Sequence, residues 1–297
     1  MESPESGTPG PVDEAGAVQG PDASAVPVDG TAAEGGPTAT ASDGGLFDAV
    51  TQPRPSDASA IGDGGGAPLT VYIAGDSTVS QYVLDPANPK SWAGWGQMFA
   101  PHYNGKVTVV DAAVGGRTAR RFIQEGHLAT ILSAIKPGDY LLVQFGTNDS
   151  NTTATYVIGN TTYPYYAAAD TDFKTYLQQY IDGAHAKGAT PVLVTPPPRN
   201  SAYCGGGRSL ANYGQAMIAL GSATTVAVVD LGMKAYDYLT KICPKPAAAA
   251  QETFFKVNPD GTIDGTHFQE NGARMLATFV AEGITEDGLG LAAYRIK

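Results

Sequence analysis

Short apolar runs recur along residues 68–297 and predict a buried β-sheet. Each run holds four to six residues rich in Val, Ile and Leu, without strict alternation of apolar and polar positions. This pattern is typical of parallel strands that are covered on both faces, because a strand with one solvated face alternates. The five predicted strands are Leu69–Ala74, Val107–Val110, Tyr140–Phe145, Pro191–Val194 and Val226–Val229.

Stretches between these strands place apolar residues at helical spacing and predict helices. The clearest one, Asp170–Lys187, is followed by Gly188, a residue type that commonly ends helices. Regular alternation of strand and helix predicts an α/β fold, a three-layer α/β/α sandwich with a five-stranded parallel sheet. Asn151–Tyr166 and residues 244–263 are predicted as loops. The other predicted helices are Trp92–Tyr103, Leu128–Ile135, Leu210–Leu220, Met233–Leu239 and Gln269–Ala281.

Residues 1–67 contrast with this pattern, because they consist mainly of Gly, Pro, Ala, Ser, Thr and Asp. Such a segment cannot bury enough apolar surface to offset the entropy lost on ordering, so we expect a disordered tail before a domain of residues 68–297. The tail holds 11 of the 29 acidic residues and a single base, Arg54, whereas the domain is near neutral. It serves either as a spacer behind an export or anchor signal or only as a solubilising segment.

Several functional classes are disfavoured by what the sequence lacks. No run of lysines and arginines indicates a nucleic-acid surface, and no apolar stretch approaches the ~18 residues of a membrane-spanning helix. No CxxC or HExxH pattern indicates a metal site.

Cys204 and Cys243 either form a disulfide, as we expect of an exported protein, or stay free thiols in an intracellular one. No signal peptide precedes the tail, which suits a secreted or cell-surface protein whose signal was removed, or a cytoplasmic one.

A serine follows the first predicted strand. Val71–Ala74 ends in Gly75, and Asp76 and Ser77 come next, at the carboxyl edge where open α/β sheets bind ligands. We therefore consider Ser77 a candidate nucleophile, although Asp-Ser-Thr is also ordinary turn chemistry. A serine hydroxyl is a weak nucleophile by itself, so it needs a base and donors for an oxyanion.

Two further strand ends offer such donors. Gly115–Gly116 follows the second strand and Asn148 follows the third, so both reach the same edge of a parallel sheet as Ser77. Gly116 has no side chain and lets its N–H approach an oxyanion closely, and Asn148 offers an amide N–H. The Ser77 N–H would be the third donor of this oxyanion hole.

The base is sought among four histidines. His267 precedes the last predicted helix, and Asp264 stands three residues before it. In a tight turn Asp264 can accept the proton of one ring nitrogen, which leaves the other to face Ser77. The competing interpretation is that Asp264 or Thr266 caps the helix. The other histidines, for which structural roles are expected, are His102, His127 and His185.

Four motifs in this order, Gly75-Asp76-Ser77, Gly116, Gly146–Asp149 and Asp264–His267, resemble the blocks of the SGNH (GDSL-like) hydrolases. The stretches VYIAGDST, DAAVGGRTARRFIQEG, GDYLLVQFGTNDS and DGTHFQENGA resemble the rhamnogalacturonan acetylesterase branch, over about residues 70–282. The resemblance implies a triad of Ser77, His267 and Asp264 and an oxyanion hole from Ser77, Gly116 and Asn148. It also implies flavodoxin-like strand order 2-1-3-4-5 and no metal or organic cofactor.

The resemblance further implies a serine esterase that removes acetyl groups from a plant cell-wall polysaccharide, with pectic rhamnogalacturonan expected first. We expect the protein to be a monomer. Acetylxylan or short-chain and lipid esters are the alternative substrates. A non-catalytic carbohydrate-binding module is the alternative function, but such a protein would have lost a member of the triad, and all three triad residues are present. Thr147 stands where that branch often carries histidine, which bears on substrate contacts. Arg117 either holds a uronate carboxylate or bonds backbone carbonyls beside Gly116. Tyr163 either stacks on sugar or packs the loop.

Overall fold

A computed structural model of the chain describes residues 66–201, 207–242 and 252–296. The predicted tail, apart from its last two residues, lies outside the described residues, and so do Cys204 and Cys243. Disorder of the tail and the disulfide therefore stay predictions. In the part of the chain that the structure describes, no helix is long and apolar enough to cross a membrane.

The central feature is a five-stranded parallel sheet. The strands are β1 (Leu69–Gly75), β2 (Val107–Asp111), β3 (Tyr140–Gln144), β4 (Thr155–Ile158), β5 (Thr161–Pro164), β6 (Thr190–Val194), β7 (Ala227–Val229), β8 (Phe255–Val257) and β9 (Ile263–Phe268). The parallel sheet has the order β2-β1-β3-β6-β7, which confirms the expected order 2-1-3-4-5 of its strands. Two antiparallel pairs, β4–β5 and β8–β9, lie outside it.

Helices cover both faces of this sheet. They are α1 (Ala119–Gln124), α2 (His127–Ala134), α3 (Lys174–Ala186), α4 (Ala211–Thr224), α5 (Leu231–Lys241) and α6 (Glu270–Glu286). Val71 and Ile73 of β1 are fully buried against α5 and α6, whereas Ala74 is buried in the cluster formed with α1 to α4. Because successive side chains of a strand point to opposite faces, each strand contributes to both cores, as the apolar runs predict.

The prediction of one helix over Trp92–Tyr103 is wrong, because two short 3₁₀ helices, Gly96–Met98 and Ala100–His102, occupy this stretch. Gly94 lies so close to the turn after β1 that a Cβ there would overlap with the Ser80 carbonyl oxygen. A regular helix would also lack a donor at Pro101. Helical spacing of aromatic residues therefore reflected burial against the core rather than helix geometry.

The prediction of a loop over Asn151–Tyr166 is also wrong in part, since β4 and β5 form a hairpin within it. Its two-residue turn is Gly159–Asn160, and Gly159 has φ +58°, a conformation that glycine adopts without steric cost. The loop predicted over 244–263 contains β8. Helix α1, with six residues, is too short for a periodic pattern; it begins after Thr118, whose side chain accepts the N–H of Arg121 at 3.0 Å.

A buried carboxyl group ends β2. Asp111 Oδ1 accepts the N–H of Ala113 at 3.1 Å, but Oδ2 is buried with no hydrogen-bond partner among the described residues. Burial raises the pKa of Asp111 from its ordinary 3.8 to about 7, although the Ala113 bond opposes this shift. Between pH 3.8 and about pH 7, the Asp111 carboxyl group keeps its proton in the folded chain and releases it in the unfolded chain. This group's contribution to stability is therefore fully present below pH 3.8 and is lost as the pH rises through about 7.

We expect Asp111→Asn to weaken this pH dependence, because asparagine keeps the acceptor for Ala113 and cannot ionise. The loss of unfolding free energy between pH 4 and pH 8 should be smaller than in the parent protein by about 2 kcal/mol. Urea unfolding of both proteins at the two pH values measures it. Asp182→Asn, which removes an exposed carboxylate of α3, is the control. An identical pH dependence in Asp111→Asn would contradict the assignment.

Candidate active site

Ser77 lies in a tight turn directly after β1, and Asp76 holds this turn. Asp76 Oδ1 accepts both the N–H and the hydroxyl of Thr78, at 2.9 and 2.7 Å. The Asp76 carboxyl is fully buried, and this burial raises its pKa against the opposing effect of the Thr78 bonds. The turn presents Ser77 at the carboxyl edge of the sheet with 8% of its surface exposed.

His267 links Ser77 to Asp264. Its Nε2 lies 3.0 Å from Ser77 Oγ, and its Nδ1 lies 3.2 Å from both carboxyl oxygens of Asp264. Asp264 Oδ1 also accepts the backbone N–H groups of Thr266 and His267, at 2.7 and 2.8 Å. Burial raises the pKa of Asp264, but the hydrogen bonds and charge of His267 and these N–H groups outweigh it and hold the pKa well below its usual range. Asp264 is thus an anion beside Nδ1.

Asp264 and His267 lie on β9 and not in the expected tight turn, so this part of the prediction is wrong. Strand β9 pairs with β8 at Ile263 and again at Phe268, with a register shift between the two pairs. The extra residues of β9 bulge out of the ladder and carry Asp264 and His267 toward Ser77. Helix α6 is capped by Gln269 without a side-chain hydrogen bond, which rules out the capping interpretation of Asp264 and Thr266.

The glycine turn and Asn148 lie beside Ser77. A Cβ on Gly115 would be 3.6 Å from Ser77 Cβ, and Gly116 has φ +73°, a left-handed conformation that favours glycine. Asn148 Nδ2 donates to the carbonyl oxygen of Arg117 at 3.1 Å, which joins it to the residue after Gly116. The second N–H of this amide remains for another acceptor. The structure therefore brings together the three residues predicted to supply oxyanion donors.

Asp149 holds the backbone around Asn148 in place through two hydrogen bonds. Its Oδ1 accepts the N–H of Ala119 at 2.9 Å and its Oδ2 accepts the N–H of Gly146 at 3.0 Å. Burial raises the pKa of Asp149 to about 7, against the effect of these two bonds. The buried Asp149 side chain thus ties the turn after β3, which contains Asn148, to the start of α1.

Trp92 is a site residue that the sequence interpretation missed, because its spacing suggested a core helix. The half-buried indole stacks on the His267 ring with a centroid distance of 4.4 Å and an interplanar angle of 19°. Lys256 Nζ lies 4.5 Å from the Trp92 centroid and 3.8 Å from Asp264 Oδ2. The next residue, Ala93, donates its N–H to Phe268 at 2.9 Å, so backbone pairing holds this segment against β9.

We expect Trp92→Ala to lower kcat about 10- to 100-fold on a small neutral ester with a smaller change in KM, because His267 loses the surface that fixes its ring plane. Steady-state kinetics on p-nitrophenyl acetate measures the effect. Trp92→Phe keeps an aromatic face and should retain most of the activity. A kcat for folded Trp92→Ala within twofold of the parent value would contradict this positioning role.

Two of the three predicted substrate contacts, Arg117 and Tyr163, are held by protein groups. Arg117 Nε donates to Glu125 at 2.8 Å and its Nη1 donates to the Gly115 carbonyl oxygen at 2.9 Å, the contacts expected if it shapes the glycine turn. Tyr163 stacks on Tyr156 at 5.6 Å and lies under the Arg120 guanidinium, so it packs the hairpin onto α1. Thr147 is buried, with 4% of its surface exposed.

A cluster of metal-binding side chains is not found in the described ranges, where no three His, Cys, Asp or Glu residues are placed to hold an ion. The groups that the site offers for chemistry are the Ser77 hydroxyl, the His267 imidazole, the Asp264 carboxylate and the N–H donors beside Ser77.

Comparisons with known proteins agree on one family. The model of the GDSL-like Lipase/Acylhydrolase family matches residues 73–275, a range that includes Ser77, Gly116, Asn148, Asp264 and His267. The chain is 36% identical over 233 residues to the probable rhamnogalacturonan acetylesterase YesY of Bacillus subtilis (strain 168), covering 76% of this chain and 97% of YesY. It is 38% identical over 232 residues to the rhamnogalacturonan acetylesterase RhgT of the same organism, covering 75% and 93%.

A solved structure of the Bacillus subtilis protein YxiM superimposes with a TM-score of 0.62 at 29% sequence identity. The superposition covers 75% of this chain and 58% of YxiM, so the chain spans little more than half of that protein.

Proposed function

Because the chain belongs to the GDSL-like lipase/acylhydrolase family, it is a carboxylic-ester hydrolase, and we propose that it removes acetyl groups from pectic rhamnogalacturonan by serine-based acyl transfer. The observation that carries the proposed mechanism is the hydrogen-bonded series Ser77 Oγ, His267 Nε2, His267 Nδ1 and Asp264, with separations of 3.0 and 3.2 Å. A nucleophile, a base and an orienting carboxylate in contact are the parts that such a reaction needs.

In the first half-reaction, Ser77 Oγ attacks the acetyl carbonyl carbon as His267 Nε2 takes the hydroxyl proton. The carbonyl oxygen becomes an oxyanion, which accepts hydrogen bonds from the N–H groups of Ser77 and Gly116 and from the Asn148 amide. His267 then gives the proton to the departing sugar oxygen. The products of this step are the deacetylated sugar and acetyl-Ser77.

In the second half-reaction, water attacks acetyl-Ser77 while His267 Nε2 takes its proton, and the same donors bind the oxyanion. Collapse of the intermediate returns the proton to Ser77 Oγ and releases acetate. Asp264 accepts the Nδ1–H throughout, which keeps Nε2 unprotonated before each attack and stabilises the imidazolium that forms.

The assignment of a pectic substrate rests on YesY and RhgT, whose names identify rhamnogalacturonan acetylesterases. Acetylxylan and lipid or short-chain esters are the alternatives. A lipase needs a broad exposed apolar surface. Tyr82 lies at the site, since its hydroxyl donates to the Ser77 carbonyl oxygen at 2.8 Å. Next to Tyr82 in the chain, the large apolar side chains that are exposed among the described residues are Val83 and Leu84. Two side chains fall short of the few hundred Å² typical of such patches, which favours the carbohydrate substrate.

We further propose that the protein acts as a secreted or cell-surface monomer. A polymeric cell-wall substrate does not cross a membrane, and all residues of the proposed site come from one chain. An exported protein also suits a disulfide between Cys204 and Cys243. Titration of two free thiols in the unreduced, denatured protein would exclude that bond.

Acetate release from a substrate panel tests the proposed function. The panel contains acetylated rhamnogalacturonan, acetylated xylan, p-nitrophenyl acetate and a long-chain p-nitrophenyl ester, with the Ser77→Ala variant as the blank. We expect the highest kcat/KM among the polysaccharides on rhamnogalacturonan. Faster deacetylation of xylan would favour that substrate instead, and activity confined to the long-chain ester would favour a lipase.

A further inference from the structure

We propose that Arg199 forms a carboxylate-binding subsite beside Ser77, which selects an acetylated acidic sugar, a uronate, over a neutral one. This inference rests on the proposed function, because it names the chemical feature that the same site recognises in its polysaccharide. Arg199 was not among the residues singled out in the sequence.

The position of Arg199 joins two catalytic segments. It follows β6 after Pro196–Pro198, at the carboxyl edge of the sheet. Its Nη1 donates to Thr266 Oγ1 at 2.6 Å and its Nη2 donates to the Thr147 carbonyl oxygen at 3.1 Å. Thr266 precedes His267 and Thr147 precedes Asn148 in the chain. The guanidinium is therefore fixed between the segment that carries the proposed base and the segment that carries an oxyanion donor.

The charge of Arg199 is not neutralised by the described residues. Both of its described side-chain partners are uncharged oxygens, and no described carboxylate lies within ion-pair distance. Arg117 and Arg121, in contrast, share Glu125, at 2.8 and 2.7 Å. Lys256 lies near Asp264. Arg117, the arginine first considered for uronate binding next to Gly116, thus has an anion of its own, whereas Arg199 has none among the described residues.

A partly buried guanidinium with spare N–H groups favours an incoming anion. Two of its five N–H donors are used by Thr266 and Thr147, so others remain for the two oxygens of a carboxylate. The two hydrogen bonds also hold the guanidinium in one orientation, which reduces the entropy lost when a ligand binds. In an acetylated uronate the carboxylate and the ester lie on the same ring or on adjacent rings, so one residue beside Ser77 can reach the carboxylate.

A purely structural role makes a different prediction. If Arg199 only ties Thr147 to Thr266, its removal misplaces Asn148 and His267 for every ester alike. If it binds a carboxylate, its removal affects charged substrates much more than neutral ones. The ratio of kcat/KM values on a charged and a neutral substrate separates the two roles, whatever the absolute loss.

The test compares Arg199→Gln with Arg117→Gln, a matched variant that removes a paired arginine beside the same site. The charged substrate is acetylated trigalacturonate and the neutral one is acetylated xylotriose. We expect Arg199→Gln to lower the ratio of their kcat/KM values about 10- to 100-fold, mainly through KM, as for lost hydrogen bonds to a charged group. Arg117→Gln should lower both values by the same factor. The preference of the parent enzyme should also shrink as salt is raised.

Equal losses of Arg199→Gln on both substrates would overturn the inference. A parent enzyme that hydrolyses acetylated xylotriose but neither acetylated trigalacturonate nor acetylated rhamnogalacturonan would instead overturn the proposed pectic function. If Arg199→Gln does not fold, inhibition of the parent enzyme provides the same information. Trigalacturonate should inhibit hydrolysis of p-nitrophenyl acetate at least tenfold more strongly than its uncharged methyl ester, and equal inhibition by the two would overturn the inference.

Discussion

Ser77→Ala is expected to lower kcat for ester hydrolysis by about 10⁴- to 10⁶-fold while the protein stays folded, because the nucleophile is lost and only the oxyanion donors and substrate binding remain. The described side-chain partner of Ser77 Oγ is His267 Nε2. Since that imidazole is part-exposed, removing the hydroxyl leaves no deeply buried polar group unpaired. The melting temperature should therefore change little.

The control for this variant is Ser80→Ala, which removes a hydroxyl in the same turn. Ser80 Oγ donates to the Asp76 carbonyl oxygen at 2.8 Å, and its loss should change kcat no more than a few-fold. Active-site burst kinetics with p-nitrophenyl acetate should show an acetyl-enzyme burst in Ser80→Ala and none in Ser77→Ala. Turnover by purified Ser77→Ala within tenfold of the parent enzyme would refute Ser77 as the nucleophile.

Asp264→Asn is expected to lower kcat by about 10³- to 10⁴-fold, because it imposes the wrong tautomer on His267. Asp264 Oδ1 accepts two backbone N–H groups, so asparagine is expected to keep its oxygen there and turn its NH₂ group toward His267 Nδ1. Nδ1 must then be the acceptor and Nε2 must carry the proton. An Nε2–H cannot accept the proton of Ser77.

Asp260→Asn is the matched control for this effect, since Asp260 is an exposed carboxylate that bonds Thr262 in the preceding turn. It should leave kcat close to the parent value. The double variant Ser77→Ala/Asp264→Asn should be no slower than Ser77→Ala alone, because the two residues act in one unit. Multiplicative losses in the double variant, or near-normal kcat in folded Asp264→Asn, would show that Asp264 does not act through His267.

The parallel sheet was predictable from the sequence alone, because burial on both faces is a local property of each strand. Runs such as Tyr140–Phe145 contain the apolar residues that both cores require, and the strand order implied by the family resemblance is the one observed. The short turns that follow the strands also indicated that Ser77, Gly116 and Asn148 lie close together, because the carboxyl ends of parallel strands meet at one edge of the sheet. Their assembly beside one another follows from the sheet topology.

Contacts between distant segments were decided only by the tertiary structure. The bulge in β9 that carries His267 depends on pairing with β8, and nothing within Asp264–His267 itself specifies that partner. Trp92 stacks on His267 because Ala93 pairs with Phe268, far away in the chain. The sequence does not distinguish Arg117 from Arg199, yet Glu125 neutralises Arg117, whereas Arg199 has no carboxylate partner in the part of the chain that the structure describes. A residue's local pattern determines whether it is buried, whereas its charge partner and its stacking partner depend on which distant segment packs against it.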